Sequence, residues 1–284
     1  MDESQRGETI RMRRAISAII GRELKRMVRQ RGRLLAAMIR PLVWLFIIGS
    51  GFQALVEGSG QGHYKQFMVP GLLCMVLLFG AMIAALSLVY DKESGVMRML
   101  VIAPFAHYWI VLARTLSAAI AALFQALLLM VVLSSLRLLG LDYFGLPAHL
   151  PLSALGLVLT SLTCATTGML IAVHSKTLDN FAVIMNFVIF PMFFLSGALY
   201  PLEHLPAALK ALALVNPFSY GVDLMKHAVL KDVPANFSAD LSVGTDIAVM
   251  MAYITIGLII SCLRFSQVSV REKMAKALSG SRRV

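Results

Sequence analysis

The sequence is short of charge. Only 14% of its 284 residues are Asp, Glu, Lys or Arg, where a soluble domain carries about 25%. Hydrophobic residues make up 58%, and the mean hydropathy is +0.78. One water-facing core cannot hide so much apolar side chain, so the expected solvent is a bilayer. Charge is absent altogether from residues 66–90 and 115–136, and about 20 mostly apolar residues suffice for a helix to cross the hydrocarbon. Only helices and closed barrels pair every backbone polar group inside lipid. Unbroken apolar runs argue against a barrel, whose strands alternate over about 10 residues.

Other absences exclude chemistry. There is no G-x-x-x-x-G-K-[ST], so the chain has no usual phosphate loop for a nucleotide. H-E-x-x-H and G-x-S-x-G are missing, which removes the commonest zinc-peptidase motif and weakens a hydrolase reading. The six histidines are scattered without a pair at metal spacing. Cys74, Cys164 and Cys262 fall in apolar runs at unrelated spacings and read as small buried hydrophobes, not as disulfide or metal partners. A cleavable signal peptide is not expected, because the basic start is too long and no short apolar region with a cleavage site follows it. Acidic residues and Lys are nearly missing from the apolar runs, which argues against a self-powered carrier with ionisable groups on its pathway.

The charge that is present is basic and unevenly placed. The net charge is +11; of 26 Lys and Arg, 11 lie in residues 1–40 and 6 in 264–284. Basic ends beside apolar spans mark the cytoplasmic side and attract anionic lipid, so nucleic acid is not the expected partner. In residues 10–33, Met12, Ile16, Ile19, Ile20, Leu24, Met27 and Val28 share one helical face, while Arg11, Arg14, Arg22, Lys25, Arg26 and Arg29 share the other. This pattern predicts a helix lying in the membrane interface. Glu23 projects among its apolar positions, either paired with a neighbouring Arg or touching a partner.

Six spans are predicted, near 41–56 (opened by Pro41), 67–90, 110–136, 151–173, 180–199 and 247–263. The sixth is short unless it begins near Ser242. Residues 202–243 are too polar and broken to span, and hold a short apolar piece over 206–215 closed by Asn216-Pro217. Assigned by loop, Lys and Arg divide 21 to 5 between the two sides, which puts both termini and the segment 91–104 in the cytoplasm. The expected class is an all-α polytopic membrane protein. Its expected parts are a basic tail with an interface helix at 1–38, a single six-span domain at 39–265 with a short re-entrant segment before the last span, and a basic tail at 266–284.

The segment 91–104 reads Asp91-Lys92-Glu93-Ser94-Gly95-Val96-Met97-Arg98-Met99-Leu100-Val101-Ile102-Ala103-Pro104. An acid near a helix start is favoured by the dipole by about 0.3–1 kcal/mol, and Pro104 limits continuation. On its own the segment also reads as a solvated loop whose charges fix topology.

Three motifs together resemble the type-2 permeases of ATP-binding-cassette exporters, in particular the branch for drugs and lipo-oligosaccharides. The first is Asp91-Lys92-Glu93 with Gly95, Leu100 and Pro104. The second runs from Phe190-Pro191 through Ser196-Gly197-Ala198-Leu199-Tyr200-Pro201 to Leu205-Pro206. The third is Asn216-Pro217-Phe218-Ser219-Tyr220. Arg22-Glu23-Leu24 with its basic neighbours, including Arg26, is similar to that family's interface helix. The chain departs from the pattern at Val96, where the family often has Thr, and at Arg98, in a turn that is often acidic. The resemblance spans roughly residues 12–265. It implies a coupling helix over 91–104, with Asp91, Lys92, Glu93, Gly95, Arg98, Leu100 and Pro104 seated on a separate ATPase. It also implies an outer gate built from Pro191, Ser196, Gly197, Tyr200, Pro201, Asn216 and Pro217. Two ATPase subunits and a second permease copy are the implied partners, with membrane lipids around them. ATP and Mg are implied on the ATPase and no cofactor or catalytic residue on this chain, in a bacterial inner membrane. The residues alone leave two alternatives, a scaffold and a membrane-embedded lipid-modifying enzyme. Pro191 alone is equally a tolerated kink, Ser196-Gly197 a packing site, and Asn216-Pro217 a helix stop.

Overall fold

The computed structural model describes residues 41–51, 64–96, 107–138, 149–230 and 239–280, with isolated helical positions at 21, 25, 29, 32 and 39. Every regular element among them is helical. Residues 41–51 form α1, which contains a π-helical turn over Trp44–Gly49. α2 is Tyr64–Glu93, α3 His107–Leu138, α4 Leu150–His174 and α5 Leu178–Phe194. A 3-10 turn at Leu202–His204 leads to two short helices, α6 (Ala207–Val215) and α7 (Pro217–Val229), and α8 is Val243–Gly280.

Four of these helices are long and apolar enough to cross a membrane: α2, α3, α4 and α8 over Val243–Gln267. α5 has 17 residues and is apolar but shorter. The uncharged runs account for α2 and α3 directly, because lipid and apolar packing impose no cost on a helix without charge. α8 starts at Val243, where Ser242 Oγ accepts from Thr245 N–H at 3.3 Å as a helix cap does. The apolar part of the last helix is therefore 25 residues, not a short span over 247–263, and the helix runs on into the basic tail.

α2 is the central post. It packs against α1, α3, α4, α5 and α7, and α4 packs against α2, α3, α5, α7 and α8. The main core joins Leu72, Leu73, Leu77 and Met82 of α2 to Ala118, Ala122 and Leu129 of α3, Cys164 and Ala165 of α4, Phe193 of α5, and Phe218 and Met225 of α7. Small residues set the spacing. A Cβ on Gly168 of α4 would lie 2.9 Å from the Ala85 Cβ of α2, the close helix approach that small residues permit where lipid gives no hydrophobic drive. Large apolar side chains remain exposed on α3 (Leu127, Val131), α5 (Val183, Phe187) and α8 (Ile256, Leu263). Such a surface suits lipid or a second copy, not water.

Two expectations are corrected. Asp91, Lys92 and Glu93 are not at a helix start: they form the last turn of α2, which closes at Gly95 with φ of +76°. The apolar run carries the helix three residues further than its charges suggested, because each charged side chain finds a partner on another helix. The polar stretch after Asn216 has no helix long enough to span, but it is more regular than its composition suggested. It folds as α7, with Pro217 at its first turn, where the missing N–H costs nothing. Ile39, ahead of Pro41, is helical as well. Of the residues named for the interface helix, Arg22, Glu23 and Arg26 lie outside the described residues, as do Arg98, Leu100 and Pro104. Lys25 and Arg29, from the same basic face, are helical and exposed.

Candidate functional site

At one end of the bundle, α2, α3, α4 and α5 meet in a polar clamp. Asp91 is buried and pairs with buried Arg114 of α3, whose Nη1 also donates to Ser87 Oγ at 3.0 Å. Lys92 Nζ donates to three backbone carbonyls at the end of α4, Ala172 at 2.8 Å, Val173 at 3.0 Å and Ser175 at 3.3 Å. A cation there meets the negative end of the helix dipole. Glu93 Oε2 accepts from Leu178 N–H at 3.0 Å, at the positive end of α5, where Thr177 also caps Asn180 N–H at 3.3 Å. One tripeptide thus fixes three neighbouring helix ends. Asp91, Lys92 and Glu93 are turned to these internal partners, and the turn 94–96 leads away from them with Ser94 and Val96 exposed.

At the opposite end, the residues expected to form a gate converge. Pro191 lies inside α5, which stops three residues later. Its ring removes one helical donor, and the chain leaves the helix through Ser196, whose Oγ donates to Phe193 O at 2.7 Å and accepts from Ala198 N–H at 3.3 Å. Gly197 follows with φ of +76°. Tyr200 Oη donates back to Phe194 O, and burial pushes its phenol above the ordinary range. Pro201 opens the 3-10 turn with extended backbone. Asn216 serves two elements: its Oδ1 accepts from Phe218 N–H at 3.1 Å, capping α7, and its Nδ2 donates to Met192 O at 2.7 Å. Ser219 Oγ adds a bond to Leu195 O at 3.4 Å. Carbonyls freed where α5 ends are therefore taken by the start of α7. Gly71 of α2 lies under this return, and a Cβ there would meet Ala198 backbone atoms at 2.7–2.8 Å.

Between α1, α2 and α5 lies a cavity of about 170 Å³ lined by Trp44, Met75, Phe79, Asn186, Ile189, Phe190, Phe193 and Phe194. Trp44 stands edge-on to Phe193 and Phe194, with ring centroids 5.8 Å apart in both pairs. The lining is aromatic and aliphatic apart from Asn186.

The sequence reading missed a second polar cluster, beside the gate. Lys226 of α7 pairs with Asp240 at 2.9 Å, and both side chains are buried. Lys226 also stands 4.9 Å over the Phe67 ring. Asp240 Oδ1 accepts from Leu202 N–H at 3.1 Å. Asp223 takes N–H bonds from Asp240 at 2.7 Å and Leu241 at 2.9 Å. Burial raises the Asp223 carboxyl above the usual range, against the pull of these two donors and of Lys226. Asp246, in the first turn of α8, is fully buried. No pattern along the chain marks this group, because its members come from a region that looks like a polar loop.

A sequence profile described as ABC-2 type transporter matches residues 14–230. The chain is 28% identical over 172 residues to the probable multidrug ABC transporter permease YbhR of Escherichia coli K12, covering 60% of this chain and 45% of that protein. It is 26% identical over 200 residues to the putative transport permease ycf38 of Cyanophora paradoxa, covering 67% and 65%. It is 27% identical over 199 residues to nodulation protein J of Rhizobium leguminosarum bv. trifolii, covering 69% and 74%. The matched stretches thus span less than two thirds of the first two relatives' own lengths.

Proposed function

The chain belongs to the ABC-2 type transporter family, and on that premise we propose that it is the membrane-spanning permease subunit of an ATP-driven exporter for hydrophobic or amphipathic cargo. The observation that carries this reading is the family match over residues 14–230 on a bundle of apolar helices without a phosphate loop. Such a chain needs its energy from a partner. Two ATPase subunits would supply it, and two permease copies would enclose the path. The six spans, the interface helix and a short re-entrant segment at α6, before the last span, belong to this proposal, as do cytoplasmic termini in a bacterial inner membrane.

In the proposed mechanism, residues 91–104 receive the motor's movement. The exposed turn after Glu93, with Gly95 as its pivot, is the point of entry. Asp91, Lys92 and Glu93 do not grip the motor; they pass its displacement to α3, α4 and α5 together. α5 then carries it across the membrane to Pro191, where the helix ends and hands its carbonyls to Asn216 and Ser219. Breaking those few bonds, together with the packing of Ala198 over Gly71 of α2, opens the outer return. The aromatic cavity beside α5 gives apolar cargo a surface on the moving helix.

The test is co-expression with candidate phosphate-loop ATPases, followed by capture through the permease. Recovery of one ATPase in equal amount supports the reading. Repeated recovery of the permease without any ATPase, in detergent and in lipid nanodiscs, refutes it.

A further inference from the structure

We propose that Asp223, His227 and Asp246 form a divalent transition-metal site, with zinc the best-matched ion, that staples α7 to the start of α8. One ligand atom from each of the three side chains lies within 4.8 Å of the other two. Two come from one helix face at i and i+4, His227 Nε2 standing 3.7 Å from Asp223 Oδ2; the third comes from the first turn of α8. Asp246 is the observation that points to a ligand. It is 0% exposed, and among the described residues neither of its carboxylate oxygens has a hydrogen-bond partner. One of its oxygens lies within 4.8 Å of a ligand atom on each of the other two side chains; it stands against the Asp223 carboxyl, another acceptor, and a buried carboxylate with no donor is costly.

The local charge is unbalanced in the same direction. The carboxyl groups of Asp223, Asp240 and Asp246 stand with one ammonium, that of Lys226, which pairs with Asp240. When all three carboxyls are ionised, Lys226 offsets one of them, and one bound divalent cation would offset the other two. Donor type selects the ion: two carboxylates and an imidazole suit zinc, whereas calcium and magnesium favour oxygen alone. Nε2 of His227 lies 2.8 Å from Leu241 O, so that carbonyl is at hand as a fourth ligand once the ring proton sits on Nδ1 instead. Tetrahedral zinc bonds of about 2.0–2.2 Å hold ligand atoms roughly 3.3–3.6 Å apart, so a pair at the 4.8 Å limit must close by more than about 1 Å on binding. The two backbone N–H bonds to Asp223 orient its carboxylate as outer partners of metal ligands do.

The full chain, purified without a histidine tag, is titrated with Zn²⁺ by calorimetry and by thermal unfolding, with Mg²⁺ as control. Saturable binding of one Zn²⁺ per chain is expected, with a rise in unfolding temperature that a chelator reverses. Asp246→Asn and His227→Ala should each weaken binding by about tenfold or more. Asp246→Asn keeps the side-chain shape and removes a buried charge, so it folds. Absence of saturable Zn²⁺ binding overturns the proposal, as does a thermal shift that both variants retain. A wild-type chain that ignores Zn²⁺ but gains stability from acid, with that gain lost in Asp246→Asn, also overturns it, because a proton then occupies the place of the metal.

Discussion

Lys92 and Glu93 separate two roles that a charged segment can combine. Lys92 holds three carbonyls of α4, and bonds from a charged donor contribute about 1.5–3 kcal/mol. Lys92→Ala should therefore lower the unfolding temperature of the purified chain, by about 1.5–3 kcal/mol in stability; an unchanged midpoint would show that water replaces the lysine. Glu93 is exposed and makes one bond to the start of α5. Glu93→Lys should cost at most about 1 kcal/mol and leave insertion intact, yet uncouple ATP turnover from cargo movement in an assembled complex. Full coupling in that variant contradicts the assigned path. The buried Lys226–Asp240 pair is more sensitive. Lys226→Met leaves Asp240 uncompensated, and breaking a buried pair from one side costs about 3–5 kcal/mol. Its expression level and thermal midpoint should both fall sharply.

At the scale of elements, α5 is held by its ends. Its first turn is fixed by Glu93 and Thr177, and its last by Asn216, Ser219 and Tyr200. Gly197 makes the exit turn possible: its φ of +76° is strained for any L side chain, and an added Cβ would stand 3.0 Å from Leu202 Cγ. Gly197→Ala should destabilise by about 1–2 kcal/mol, visible in thermal unfolding, whereas Gly95→Ala meets no neighbour within 4 Å and should show the backbone cost alone. α2, α3 and α4 were legible in the sequence, because unbroken apolar runs leave a helix few alternatives inside lipid. The end of α2 was not, since Asp91–Glu93 read as a loop until their partners on α3, α4 and α5 were in place. α7 was hidden for the same reason. Its Asp223, Lys226 and His227 look like solvent-facing charge, and only packing against α2, α4 and α8 makes them interior. The residues of the outer return were legible as a set, because Pro191, Gly197 and Asn216-Pro217 each impose a backbone constraint that shows in one dimension.

For the whole molecule, the buried charged groups are sorted by depth. The Asp91–Arg114 clamp lies at one end of the bundle and the Asp223–Asp240 cluster is built around the other end of the helices, with the apolar core and neutral side chains such as Gln125 and Thr163 between them. Reading the run of Lys and Arg placed the basic termini on one side and saw in residues 202–243 only a short apolar piece over 206–215 closed by Asn216-Pro217. Tertiary contacts, which no local pattern encodes, make α7 a part of the bundle. In the proposed mechanism this division lets a permease stay rigid in the membrane and respond at both surfaces: a motor bound near residues 94–104 would act on one polar layer, and the return after Pro191 would yield at the other. The central claim is that this chain works only as part of an assembly with a separate motor. Native mass spectrometry of the complex released from membranes tests it most directly. The account predicts a single mass equal to two copies of this chain plus two ATPase subunits; a mass for this chain alone, or with partners that bind no nucleotide, would contradict it.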